Sequence, residues 1–358
     1  MLGFAATLLG HADPAALDPE RDFLEAGFDS LTAMDLRNHL NAATGLDLPP
    51  MVIFDNKSPA RLAAWLRAEL AVDTTAAETG GDTLSALFRS GLEAGAVGEA
   101  YDLLRSVVRL RPRFRTVDEV GDLAPAVTLR ESDSELPRLI CLSTPMATGG
   151  MHQHSRVVAH LGSPRHVVAI PTPGFVAGER LPASVDVAVQ ALAEQVLRAA
   201  DGHPFLLLGY SSGGSLAYAV AGYLEERGIE PAGVVMLDSF RVEDEAAGAT
   251  MPIRELTLRL YDQESLFGRF DSARLSAMAC WFDLVPQLPV RPVRAQTLFV
   301  RCTQSFLELE EGQRDWEAEP LGPGQTLVPL AANHFSIIAE RSDATAEVID
   351  RWLTAHAL

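Results

Sequence analysis

Phe205-Leu206-Leu207-Leu208-Gly209-Tyr210-Ser211-Ser212-Gly213-Gly214 is an apolar run bounded by Pro204 that ends in a GxSxG turn, and the helical pattern Ser215-Leu216-Ala217-Tyr218-Ala219-Val220-Ala221 follows it. Four consecutive large apolar residues suit a central parallel strand buried on both faces. A serine on a sharp strand-to-helix turn projects its hydroxyl above the sheet, and small residues two before and two after it leave room for the strained backbone. Ser211 meets that requirement through Gly209 and Gly213. Ser212 does not, because Tyr210 would then stand where a side chain collides with the adjoining helix. Such turns also arise by chance, so it is the flanking strand and helix that give this one weight. The expectation is a nucleophile elbow with Ser211 as the attacking group.

Working outward, Arg138 to Leu142, Val167 to Ile170, Gly233 to Leu237, Gln296 to Val300 and Thr326 to Leu330 read as further strands. Helical stretches at 184–199, 214–227 and 343–355 separate them. This alternation predicts an α/β class fold, a mostly parallel sheet covered by helices on both faces. Active sites in such sheets lie at the carboxyl ends of the strands.

A serine hydroxyl needs a base within hydrogen-bond reach and a third group to orient that base. The strand Val234-Val235-Met236-Leu237 ends in Asp238, and Leu327-Val328-Pro329-Leu330 leads through Ala331-Ala332-Asn333 to His334. The chain order Ser211, Asp238, His334 is that of the α/β-hydrolases. Asp238 read by itself could equally cap a turn after its strand. His152, His154, His160, His166, His203 and His356 fall in helices, loops or the terminus, away from the strand ends a base requires. His152 and His154 lack a third ligand at suitable spacing, so no metal is expected. For the oxyanion, the Ser212 amide directly after the nucleophile is one expected donor. The other should come from the loop Ser143-Thr144-Pro145-Met146-Ala147-Thr148-Gly149-Gly150, where Pro145 has no N–H and Met146 is the choice.

At 358 residues with 47% hydrophobic content, the chain can build two domains with a substantial core. A formal net charge of -19, with Lys57 the only lysine, would repel a phosphate backbone, which argues against nucleic-acid binding. No apolar stretch is long enough for a membrane span, and the N-terminus lacks the pattern of a secretory signal, so a cytoplasmic location is expected. Cys141, Cys280 and Cys302 stand in apolar surroundings without metal-ligand spacing and are expected as buried reduced thiols.

Residues 1–71 form a small unit of helical pattern. Residues 72–82 have few large apolar groups and two adjacent glycines, the composition of a flexible linker. Two amphipathic helical segments follow within 83–111, with Leu84, Leu87, Phe88 and Leu92 on one stripe and Ala100, Leu103, Leu104, Val107 and Val108 on the next. Residues 242–290 exceed a simple crossover and mix acidic groups with Leu256, Leu258, Tyr261, Phe267 and Trp281. They read either as a helical lid over an acyl channel or as ordinary packing helices.

On local physics Asp29 or Ser30 is an N-cap at the start of an amphipathic helix. The run Gly27-Phe28-Asp29-Ser30-Leu31-Thr32-Ala33-Met34-Asp35-Leu36-Arg37-Asn38 nevertheless closely resembles the prosthetic-group site of acyl carrier proteins from modular type I polyketide synthases. Pro49 to Asp55 and Ser58-Pro59 look like the later part of such a carrier. The resemblance implies a small all-α helical-bundle carrier over 1–71, N-terminally truncated because Met1 to Gly10 is shorter than the expected first helix, with 4'-phosphopantetheine on Ser30. Residues 83–358 resemble the terminal thioesterase of the same synthases, an α/β-hydrolase domain with a helical lid. Pro171-Thr172-Pro173-Gly174-Phe175 with Gly178-Glu179 and Leu181-Pro182 looks like that family's loop.

The likeness implies Ser211, Asp238 and His334 as catalytic triad, Ser212 and Met146 at the oxyanion, and a homodimer formed through leader helices in 83–111. It also implies an acyl-thioester polyketide chain as substrate, upstream synthase domains as partners, and release by macrolactonisation or hydrolysis. An editing thioesterase that clears stalled acyl groups, a binding module with an inactive triad and ordinary ester hydrolysis are the alternatives; the fused carrier opposes the first and third and the intact triad the second.

Overall fold

The computed structural model describes residues 5–6, 17–24, 26–28, 30–44, 48, 52–72, 83–121, 123–147, 149–239, 271–289, 291–305 and 325–358. The chain divides into two compact units, Met1–Gly95 with Thr257–Ser272, and Ala96–Leu256 with Ala273–Leu358. The expected linker, 72–82, lies outside the described residues except for Val72, and the first of the two expected leader helices groups with the first unit.

In the first unit α1 (Ser30–Thr44), α2 (Val52–Asp55), α3 (Pro59–Val72) and α4 (Thr83–Glu93) are helical. Ala33, Leu36 and Leu40 recur at helical spacing on one face of α1, and they are buried with Phe23, Phe28, Ile53 and Leu62 in one core. Phe23 and Phe28 meet edge to face with ring centroids 5.0 Å apart. Gly27 between them has φ 98°, a conformation open to glycine and strained for other residues.

The second unit opens with α5 (Val97–Val108), whose Val97, Ala100, Tyr101, Leu104 and Val108 form a buried stripe. Two strands follow, β1 (Arg113–Phe114) and β2 (Val127–Arg130), and then β3 (Arg138–Leu142), α6 (Ser155–His160), β4 (Val167–Ile170), β5 (Leu181–Pro182) and α7 (Val185–Ala200). Ser211 stands between β6 (Phe205–Tyr210) and α8 (Ser212–Glu225), after which come β7 (Gly233–Leu237), α9 (Ser272–Leu284), β8 (Gln296–Cys302), β9 (Thr326–Leu330) and α10 (Ser342–Ala355). Seven strands form one sheet in the order β2-β4-β3-β6-β7-β8-β9. All neighbours are parallel except β2, which runs antiparallel to β4. The separate pair β1 and β5 is parallel.

Strand periodicity sorts the core into two faces. Ile140, Leu142, Leu207, Val234, Met236 and Phe299 pack with residues of α7 and α8, while Leu139, Cys141, Leu206, Leu208, Val235 and Leu298 pack with residues of α6 and α10. The chain steps from β3 to β4 in one direction and then returns to β6 on the other side of β3. That reversal opens a crevice at the carboxyl ends of β3 and β6, where ligands bind in sheets of this type.

The strands predicted from sequence are all present, with β6 extended to Tyr210 and β8 to Cys302. The two-residue strands β1 and β5, the edge strand β2 and the six-residue helix α6 are additions to that prediction, since so few residues carry too little periodicity. Cys141 and Cys280 are buried free thiols, whereas Cys302, at the outer end of its strand, is only half-buried. Of the region 242–290, residues 242–270 and 290 lie outside the described residues. The helix within it, α9, packs into the core: Trp281 is fully buried and its indole N–H donates to the Pro173 carbonyl at 2.9 Å. Tyr101 of α5 stacks on Phe282 of α9 with ring centroids 6.2 Å apart. No helix of the described residues is long and apolar enough to cross a membrane.

Candidate active site

Ser211 stands between β6 and α8 with φ 56° and ψ -133°, a positive-φ conformation that costs a non-glycine residue about 1–3 kcal/mol. Its amide donates to the Leu237 carbonyl at 2.9 Å and its carbonyl accepts from Gly214 N–H at 3.0 Å, which holds the turn closed. The flanking glycines are required by contact. A Cβ on Gly209 would lie 2.2 Å from the Gly213 carbonyl oxygen, and one on Gly213 would lie 2.8 Å from that of Leu142. Gly214 is equally tight, because a Cβ there would meet Ser239 Oγ at 1.8 Å.

The three side chains from separate parts of the sequence meet at this turn. His334 Nε2 is 3.1 Å from Ser211 Oγ, and His334 Nδ1 is 2.7 Å from Asp238 Oδ2. All three residues are buried. An ionised carboxylate only accepts, so Nδ1 carries the proton and Nε2 presents a lone pair to the serine hydroxyl. The other carboxylate oxygen, Asp238 Oδ1, accepts from Cys302 N–H at 2.9 Å. Asp238 itself has φ 44°, and its amide donates to the Val300 carbonyl at 2.8 Å. His334 lies in the connection after β9, where Asn333 Oδ1 accepts from the amides of Phe335 and Ser336 at 3.1 and 2.9 Å.

Beside the serine lies the loop after β3. Ser212 is the first residue of α8, so its N–H has no intrahelical acceptor. The Met146 N–H donates to the Thr144 carbonyl at 2.8 Å across Pro145, closing a tight turn. Gly149 folds back so closely that a Cβ would sit 2.2 Å from the Thr144 carbonyl oxygen, and Arg274 of α9 donates to the Ala147 carbonyl at 3.1 Å. Several supporting residues carry no signal in the sequence, among them Thr144, Gln153 and Cys302, because their roles depend on partners far away in the chain. Tyr210 stands out there only as a neighbour of Ser211.

The family loop has a physical basis. Glu179 is buried and its carboxylate accepts from the amides of Gly174, Val176 and Ala124 at 2.8, 3.2 and 3.0 Å. Arg111 then donates to the carbonyls of Gly174 and Glu179 at 2.9 and 2.8 Å. His154 is fully buried, and burial lowers its pKa from the ordinary 6.5 to about 4, so it is neutral. Among the described residues no three His, Cys, Asp or Glu side chains gather as metal ligands.

A parallel sheet with this elbow and this Ser-His-Asp arrangement defines the α/β-hydrolase fold. The chain belongs to the thioesterase family: residues 137–353 match the family model described as Thioesterase domain. Residues 2–66 match a second, described as Phosphopantetheine attachment site. The chain is 35% identical to the spectinabilin polyketide synthase system protein NorC of Streptomyces orinoci, over 98% of this chain and 16% of that protein. It is 36% identical to the polyketide synthase GfsE of Streptomyces halstedii, over 98% of this chain and 10% of that one. It therefore spans less than a fifth of the length of these relatives. Among solved structures it resembles the holo four-domain nonribosomal peptide synthetase AB3403, with TM-score 0.50, 18% identity, and coverage of 98% of this chain and 25% of the other. That likeness concerns the fold alone.

The attachment-site match implies a covalent phosphopantetheine on the first unit. Ser30 is the first residue of the 15-residue helix α1.

Proposed function

We propose that this chain is the carrier and thioesterase pair that ends a polyketide assembly line, taking the finished acyl chain onto Ser211 and releasing it as a macrolactone or a linear acid. The observation that carries the reading is the continuous relay Ser211 Oγ, His334, Asp238 on a chain that also holds an attachment-site domain. Ser30 holds the phosphopantetheine, whose thiol supplies the thioester linkage.

Acylation begins when His334 Nε2 takes the Ser211 proton as Oγ attacks the thioester carbonyl. Asp238 keeps the imidazole in the tautomer that can accept and stabilises its charged form. The Ser212 and Met146 amides receive the developing oxyanion. For Met146 this role requires the hydrogen now given to the Thr144 carbonyl to be shared or released. Collapse breaks the carbon–sulfur bond, His334 returns the proton to the leaving thiol, and an acyl ester remains on Ser211. His334 then deprotonates either water or a hydroxyl of the acyl chain itself. Attack on the ester releases the acid or the lactone and restores the Ser211 hydroxyl. The triad serves both nucleophiles alike, so chain conformation and water access decide between them.

The leader segment 83–111 supplies the dimer contact in this reading. The test is mass-spectrometric analysis of products from long hydroxyacyl thioesters, with Ser211→Ala as the blank. A lactone or acid missing from the blank is the expected result; equal product in both proteins would exclude the Ser211 mechanism.

A further inference from the structure

Tyr210 occupies the variable position of the GxSxG turn, and its hydroxyl, ring and carbonyl are all engaged. Its hydroxyl donates to the His334 carbonyl at 2.7 Å. Its ring lies against the imidazole with centroids 4.9 Å apart and planes inclined by 33°. Its own carbonyl accepts from Thr144 Oγ1–H at 2.7 Å. Thr144 is gripped at two points in turn: its N–H donates to Gln153 Oε1 at 3.3 Å, and its Oγ1 accepts from Gln153 Nε2 at 3.2 Å.

We propose that Tyr210 is a positioning residue that ties the base-bearing loop to the oxyanion loop, with its phenol on His334 and its carbonyl on Thr144. The inference rests on the reading of Ser211 and His334 as nucleophile and base. His334 hangs from the connection after β9, the last strand of the sheet, where no further strand among the described residues fixes the backbone. The phenol bonds the carbonyl of the very residue that carries the base, so it sets where the imidazole starts from. A misplacement of the reacting groups by about 1 Å costs on the order of a hundredfold in rate. Phenylalanine would fill the same space, which leaves the hydroxyl without a packing purpose. Burial, then the neighbouring Asp238 carboxylate, raise the phenol pKa well above 10, so the group stays a donor throughout the working pH range. Thr144 extends the tie, because its carbonyl is the acceptor for the Met146 amide. Base and oxyanion donors are thereby held to one residue of the elbow.

The experiment uses the full chain and the N-acetylcysteamine thioester of a hydroxy acid. Tyr210→Phe should lower kcat roughly tenfold with KM within about twofold, and leave the acid-limb midpoint of the pH profile in place. Thr144→Val should do the same, and Thr144→Ser should return most of the rate. Because both changes loosen one tie, the double variant should be about as slow as the slower single one. Wild-type rate in Tyr210→Phe, independent multiplication of the two losses, a shifted acid limb, or Thr144→Ser as slow as Thr144→Val would each overturn the proposal. If Tyr210→Phe does not fold, the Thr144 pair decides alone. Turnover by Ser211→Ala equal to wild type would sink the underlying mechanism and the inference with it, whereas an inert Ser211→Ala beside an unimpaired Tyr210→Phe would sink the inference only.

Discussion

The amide of Cys302 donates to Asp238 Oδ1 at 2.9 Å and thereby fixes which carboxylate oxygen is left for His334. An Asp238→Asn side chain would place its carbonyl oxygen on that amide and turn its NH2 toward His334 Nδ1. The imidazole would then accept at Nδ1 and carry its proton on Nε2, where it cannot receive the serine proton. We expect kcat to fall by about 1,000- to 10,000-fold with the fold intact, the size seen when a triad histidine is locked in the wrong tautomer. Steady-state kinetics beside circular dichroism checks this, and a loss under tenfold would rule out the tautomer argument.

The elbow should tolerate no added methyl group. Gly209→Ala drives a Cβ to 2.2 Å from a backbone oxygen, so the turn must open. Stability should drop by about 3 kcal/mol, and fluorophosphonate labelling of Ser211 should be lost with it. Gly98, inside α5 with open space for 4 Å around the point a Cβ would occupy, is the matched control. Gly98→Ala should stabilise by about 0.5–1 kcal/mol in a urea melt.

His154 makes stability depend on pH. Its folded pKa of about 4 lies below the ordinary 6.5, so the unfolded chain binds the proton more readily. Its neutral, buried state therefore supports the fold fully above pH 6.5, and that support declines as pH falls toward 4. The loss should approach roughly 3 kcal/mol at the lower end. His154→Phe should flatten the urea-melt stability curve between those pH values relative to wild type; an unchanged slope would assign the acid sensitivity to other groups.

Loading of the carrier is a separate prediction. Incubation with coenzyme A and a phosphopantetheinyl transferase should add one phosphopantetheine to the wild-type mass and none to Ser30→Ala. Ser211→Ala should still be loaded. A modified Ser30→Ala protein would move the attachment point elsewhere.

Much of this architecture is legible in the sequence because the informative features are local. Phe205 to Leu208 had to be a buried strand, and glycines at 209 and 213 had to flank a crowded turn; the contacts they make bear out that reasoning. Asp238 and His334 can be placed because each follows an apolar strand, and in a parallel sheet all such ends point to one side. The supports of the site are not legible. Tyr210 and His334 are 124 residues apart, as Asp238 and Cys302 are 64 apart, and no local pattern records a hydrogen bond between them. Met146 stands out because Pro145 has no N–H, but sequence cannot reveal that its amide is already turned onto Thr144.

Ser211 and His334 follow strands of unequal security. β6 is flanked by β3 and β7, whereas β9 has only β8 beside it among the described residues and alternates between partly covered and exposed positions. Opening free energies differ across a fold, and margins yield before centres. Warming should therefore detach the base while the serine still sits in intact surroundings. An enzyme caught in mid-cycle would be left holding its cargo as an unreleased ester, a dead end that sets in below the melting point and reverses on cooling.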